Sequence, residues 1–117
     1  MNYNVSEKSG ITILALAGKI MGGPEATEIN DEINRLIDEN KVKVVIDLKN
    51  VEWMNSSGLG ILIGAITLLK SNKGKFILIH VSDRIKNLLK ITKLNSVFEL
   101  CDTLDEAIAF LNAEYNT

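Results

Sequence analysis

At 117 residues the chain is long enough to bury one hydrophobic core, and it is expected to fold as a single domain over residues 1–117. Thirteen basic and fifteen acidic residues leave a net charge of −2, without the basic excess that direct nucleic-acid binding or an anionic membrane surface calls for. Cys101 is the only cysteine and His80 the only histidine, which excludes an internal disulfide and disfavours a zinc site; a reducing, cytoplasmic setting is expected.

No signal peptide is expected from Met1-Asn2-Tyr3-Asn4-Val5, which lacks a basic region followed by an apolar run. Tyr3 and Val5 alternate with polar neighbours, and Ser9-Gly10 offers a turn into a second strand, Ile11 to Ala17, that Gly18 is expected to end. Met21-Gly22-Gly23-Pro24 reads as a loop, with Pro24 suited to the first turn of a helix. Ala26, Ile29, Ile33, Leu36 and Ile37 then recur at helical spacing, with charged residues on the other face and Asn40 closing the helix. Val42 to Leu48 is nearly continuously apolar, the pattern of an interior strand, and Val51 and Trp53 keep the chain extended beyond it.

From Ser57 to about Leu69 the chain is apolar nearly all round, as in a helix buried on most sides, and it is too short to span a bilayer. Gly60 and Gly64 each cost about 1 kcal/mol relative to alanine there, which close packing of the helix on a sheet would explain. Ser71-Asn72-Lys73-Gly74 stops this helix, and Phe76 to Val81 gives another apolar strand, with His80 inside it. Ser82 is placed to cap a short helix with Ile85, Leu88 and Leu89 inward. Val97 to Leu100 is expected as an edge strand. Thr103 and Glu106 form a capping box before a last amphipathic helix carrying Ala107, Ile108, Phe110 and Leu111. This order predicts an α/β fold: a small mixed sheet of four to five strands with about four helices, an antiparallel opening hairpin, right-handed crossovers between parallel neighbours, and helices on at least one face.

Met54-Asn55-Ser56-Ser57-Gly58-Leu59-Gly60 joins the interior strand to the buried helix and places two hydroxyls at the helix start. Neither serine lies in a Gly-x-Ser-x-Gly elbow, and no Gly-Lys-Ser/Thr phosphate loop is present. His80 reads as a packed or strand-end residue, and Asp47 stands between a functional acid and a loop-proximal charge. No catalytic residue, cofactor or metal is therefore assigned, and the chain is not expected to be an enzyme. One serine is expected to cap the helix. A phosphoryl group on the other would bring about −1.5 to −2 charges to the positive end of the helix dipole, changing the sign of the surface a partner meets.

The pattern resembles the STAS domain family, named for sulphate transporters and anti-sigma-factor antagonists. Leu16-Ala17-Gly18, Val45-Ile46-Asp47-Leu48 with Val51, Ser82-Asp83-Arg84-Ile85 with Leu88-Leu89, and Asp105-Glu106-Ala107 carry the resemblance. Asn55-Ser56-Ser57-Gly58-Leu59-Gly60 is similar to the family's Asp-Ser-Ser-Gly-Leu-Gly signature. The resemblance implies an anti-sigma-factor antagonist that works by partner switching. Ser56 would be phosphorylated by an anti-sigma factor that is also a serine kinase, and a phosphatase would reset it. Met21, Gly22, Asn55, Ser56, Ser57, Gly58, Leu59 and Gly60 would form the partner-binding surface, with Ile20 adding an apolar contact. Two departures remove negative charge from that end: Asn55 replaces the family's acid, and Lys19-Ile20-Met21-Gly22-Gly23 lacks one. The alternative implied by the resemblance is a subunit or scaffold of a larger complex, for lipid transport or stress signalling, without a phospho-switch.

Overall fold

The structure, a computed structural model, describes residues 2–115, with side chains through 113; Met1, Asn116 and Thr117 of the expected domain lie outside them. A hairpin of β1 (Asn2–Lys8) and β2 (Ile11–Ile20) leads into α1 (Glu25–Asp38), then β3 (Lys43–Met54), α2 (Ser56–Ser71), β4 (Lys75–Ile79), α3 (Asp83–Ile91), β5 (Leu100–Cys101) and α4 (Leu104–Tyr115). The sheet order is β1-β2-β3-β4-β5, antiparallel in the first pair and parallel in the rest. The predicted mixed α/β sheet with four helices is therefore what forms.

Alternation in the strands decides which helices cover which face. Leu14, Leu16, Val44, Ile46, Leu48 and Leu78 share a core with α1, α2 and α3. On the opposite face, Ile11, Val45, Ile77 and Ile79 meet Ala107 and Leu111 of α4. Phe110 falls outside the inward stripe of Leu104, Ala107, Ile108 and Leu111 and is largely exposed, contrary to its expected inward place.

Three further local expectations change. Gly18 does not end its strand: β2 runs on to Ile20, with irregular pairing between Ala15 and Ala17 and between Gly18 and Lys19. The positive φ of Gly18, 87°, lets β2 follow the extra residues of β3 instead of stopping. His80 lies just beyond β4 rather than inside it, at φ 54°, and its Nδ1 donates to Asp47 Oδ1 at 2.9 Å. Asp47 Oδ1 also accepts from the Lys49 backbone N–H at 2.9 Å, so local hydrogen bonding occupies this carboxylate. The edge strand begins at Leu100 and not at Val97, because Phe98 is drawn into the core edge-on to Phe76.

The length mismatch among the strands positions the site. β2 and β3 continue side by side past the end of the five-residue β4, as far as the paired Ile20 and Met54. Both side chains are buried, so the chain emerges at two adjacent points, Met21-Gly22 and Asn55-Ser56.

Candidate functional site: a docking surface at the start of α2

Asn55 is extended and is the N-cap of α2. Its Oδ1 accepts from the Gly58 N–H at 2.8 Å, and its carbonyl accepts from the Leu59 N–H at 2.9 Å. The expected serine cap is thus corrected: Ser56 and Ser57 are the first two helical residues, and both are exposed. A cap oxygen must reach into the first turn from a non-helical residue, and because β3 runs to Met54 only Asn55 occupies that position. Asparagine and aspartate cap about equally well, so the departure from the family's acid costs the helix little. Asn55→Ala is expected to lower stability by about 1 kcal/mol, and Asn55→Asp to leave it nearly unchanged. Urea unfolding of both variants checks this; an unchanged midpoint for Asn55→Ala would remove the cap from the account.

Gly58 marks where α2 presses on the sheet. A Cβ added there would lie 1.9 Å from the Ile20 carbonyl oxygen. The close approach expected at Gly60 and Gly64 is not there: Gly60 faces open space, and Gly64 faces Asn30 of α1 at 3.7 Å. Gly22, at φ 97°, lies against the helix start, with its Cβ position 2.9 Å from Ser57 Cβ. Glu25 fastens this loop by accepting from the Met21 N–H at 3.1 Å. Burial opposes its charge, but hydrogen bonds from the Met21 and Gly22 backbones contribute to holding the carboxyl below its usual range.

Met21, Gly22, Asn55, Ser56, Ser57 and Gly60 therefore meet at one end of the molecule. Ile20 and Leu59 are almost completely buried and Gly58 is enclosed, so these three shape the surface from behind and are not available for the contacts expected of them. Three unexpected residues join the surface. Trp53 is 41% exposed and Ile91 69% exposed, both too large to be left in water without consequence. The Arg84 guanidinium lies 5.2 Å from the Trp53 ring centroid, a cation–π contact. Trp53, Asn55, Ser56, Arg84, Leu88 and Ile91 line a shallow depression of about 320 Å³. The spacing of Arg84, Leu88 and Ile91 puts them on one face of α3, which was legible, but which element that face meets was not. A larger depression, about 520 Å³, lies elsewhere, between β1 and the outer face of α1, and its Arg35 already pairs with Glu32.

The sheet, its four helices and an Asn-Ser-Ser-Gly helix start define a STAS domain. The family model for that domain matches residues 2–107, and the chain belongs to the family. The chain is similar to the anti-sigma-B factor antagonist of Listeria monocytogenes, 38% identical over 55 residues, a stretch that covers 47% of this chain and about half (48%) of that protein. The anti-sigma-B factor antagonist of Staphylococcus aureus is 29% identical over 73 residues, 62% of this chain and 68% of the relative. Among solved structures, the anti-sigma factor antagonist SpoIIAA in its unphosphorylated form superposes with a TM-score of 0.72 at 18% identity, over 95% of this chain and 98% of SpoIIAA. SpoIIAA of Bacillus in its phosphorylated form gives 0.70 at 19%, over 94% and 99%. At these identities the likeness to SpoIIAA is one of fold. Among the described residues no helix is long and apolar enough to cross a membrane.

Proposed function

We propose that this chain is a non-enzymatic, cytoplasmic anti-sigma-factor antagonist that switches partners according to the phosphorylation of Ser56. The observation that carries this reading is the division of labour at the helix start. Asn55 does the capping, which leaves the exposed Ser56 hydroxyl without a structural duty. The names of the relatives point the same way, as does a structural relative known in phosphorylated and unphosphorylated forms.

In the unmodified state the surface of Met21, Gly22, Ser56, Ser57 and Gly60 docks on a kinase-type anti-sigma factor. Gly60 has no side chain and faces solvent, so a partner backbone approaches closely there. In the kinase reaction the Ser56 oxygen attacks the γ-phosphorus of ATP, ADP leaves, and the hydroxyl proton passes to a base of the kinase. The added charge and bulk then break the interface, and a phosphatase restores it.

Incubation with the cognate kinase and ATP, followed by mass spectrometry, is expected to place one phosphate on Ser56. It should be lost in Ser56→Ala although Ser57 remains. Phosphorylation should weaken partner binding about tenfold or more, equivalent to about 1.4 kcal/mol. Phosphate on another residue, or binding indifferent to Ser56→Asp, overturns the reading.

A further inference from the structure

Arg84 shares a shallow depression with Ser56 and has no carboxylate partner among the described residues. Among the described residues it makes no ion pair, and its guanidinium rests over Trp53, three residues before Ser56 in the chain. Arg84 and Ser56 line one depression, with Asn87 and Leu88 beside Arg84. The residue adjoining Ser56 is the neutral Asn55, whose oxygen is already engaged by the Gly58 N–H. No acid at position 55 therefore competes for the guanidinium or repels an anion on Ser56.

We infer that Arg84 receives the Ser56 phosphoryl group within the chain, leaving the Trp53 face to form an ion pair with it. The inference rests on the reading of Ser56 as the modified residue. A guanidinium over an exposed aromatic ring is weakly held, whereas a planar fork of N–H donors matches phosphate oxygens two at a time. Modification thus changes the docking surface twice: it adds an anion at Ser56, and it withdraws a cation and uncovers the Trp53 ring. A partner segment that places a carboxylate on Arg84 and an apolar side chain against Trp53 and Ile91 loses the first contact. The internal phosphate displaces that partner by competing for the same guanidinium.

The test uses the full chain with phosphoserine installed at position 56 during synthesis, so it needs no kinase. Phosphoserine ionises for the second time near pH 6, and a neighbouring cation favours the dianion. The ³¹P titration midpoint is expected about half a unit lower in the otherwise unaltered chain than with Arg84→Gln, with Arg84→Lys between them because a point charge lacks the fork. The Arg84 Nε–H resonance should shift on phosphorylation, and Trp53 fluorescence should change with it. Equal midpoints in the three chains, with a stationary Arg84 resonance, overturn the inference. A kinase that ignores Ser56 would overturn the proposed function but leave this result intact, so the two failures are distinguishable. Arg84 is exposed, and the unphosphorylated variants should unfold at the same urea midpoint as the parent.

Discussion

Gly58→Ala is expected to destabilise the domain by about 3 kcal/mol, the upper end of what one inserted methyl costs in a tight site. The methyl would stand 1.9 Å from the Ile20 carbonyl oxygen and 2.7 Å from its carbon. Both are backbone atoms, so no rotamer change relieves the clash; either α2 lifts at its first turn or the end of β2 moves. Lifting α2 would pull Leu59 and Leu62 from the core and expose the paired ends Ile20 and Met54. Gly60→Ala is the matched control. Its Cβ meets nothing within 4 Å, and the removal of a mid-helix glycine should raise stability by about 0.5–1 kcal/mol. Urea unfolding of the two variants should therefore shift in opposite directions. Equal shifts would contradict the close approach of α2 to β2. Gly60→Ala also probes function, because a more stable protein that binds its partner less well places the partner's backbone at Gly60.

Trp53→Ala is expected to reduce affinity for the proposed anti-sigma-factor partner about thirtyfold, near 2 kcal/mol, while changing stability by less than about 1 kcal/mol. Exposed tryptophan beside an arginine is the composition of an interface anchor, and the ring stands at the mouth of the Ser56 depression. The small stability effect follows from its position on the β2–β3 extension, where one side of the strand has no β4 neighbour. Calorimetric titration against the partner, paired with urea unfolding, separates the two effects. A binding loss below twofold would mean that the partner docks elsewhere.

Much of the architecture was legible because it depends on neighbours a few residues apart. The 3.6-residue period from Ala26 to Ile37 places Ile29, Ile33 and Leu36 in the core, and the opening hairpin turns at Ser9-Gly10. Ser82 caps α3 through the Ile85 N–H, and Thr103 accepts from the Glu106 N–H. Three of the expectations that changed share one cause. Gly18, Phe98 and His80 each have a local preference that a contact distant in sequence overrides: extra residues in β3, the ring of Phe76, and the carboxylate of Asp47.

By itself the sequence determined the order of strands and helices, the mixed sheet, and a helix start bearing two hydroxyls. Periodicity and the signature are local, and local physics suffices to read them. Tertiary structure alone decided that Asn55 and not a serine caps α2, because the cap is whichever residue the long β3 leaves between strand and helix. It also decided that Gly58 and not Gly60 carries the close approach, since that depends on where β2 ends. The grouping of Trp53, Arg84 and Ile91 around Ser56 arises from α3 folding back beside the free end of β3, a meeting of segments that no spacing along the chain encodes.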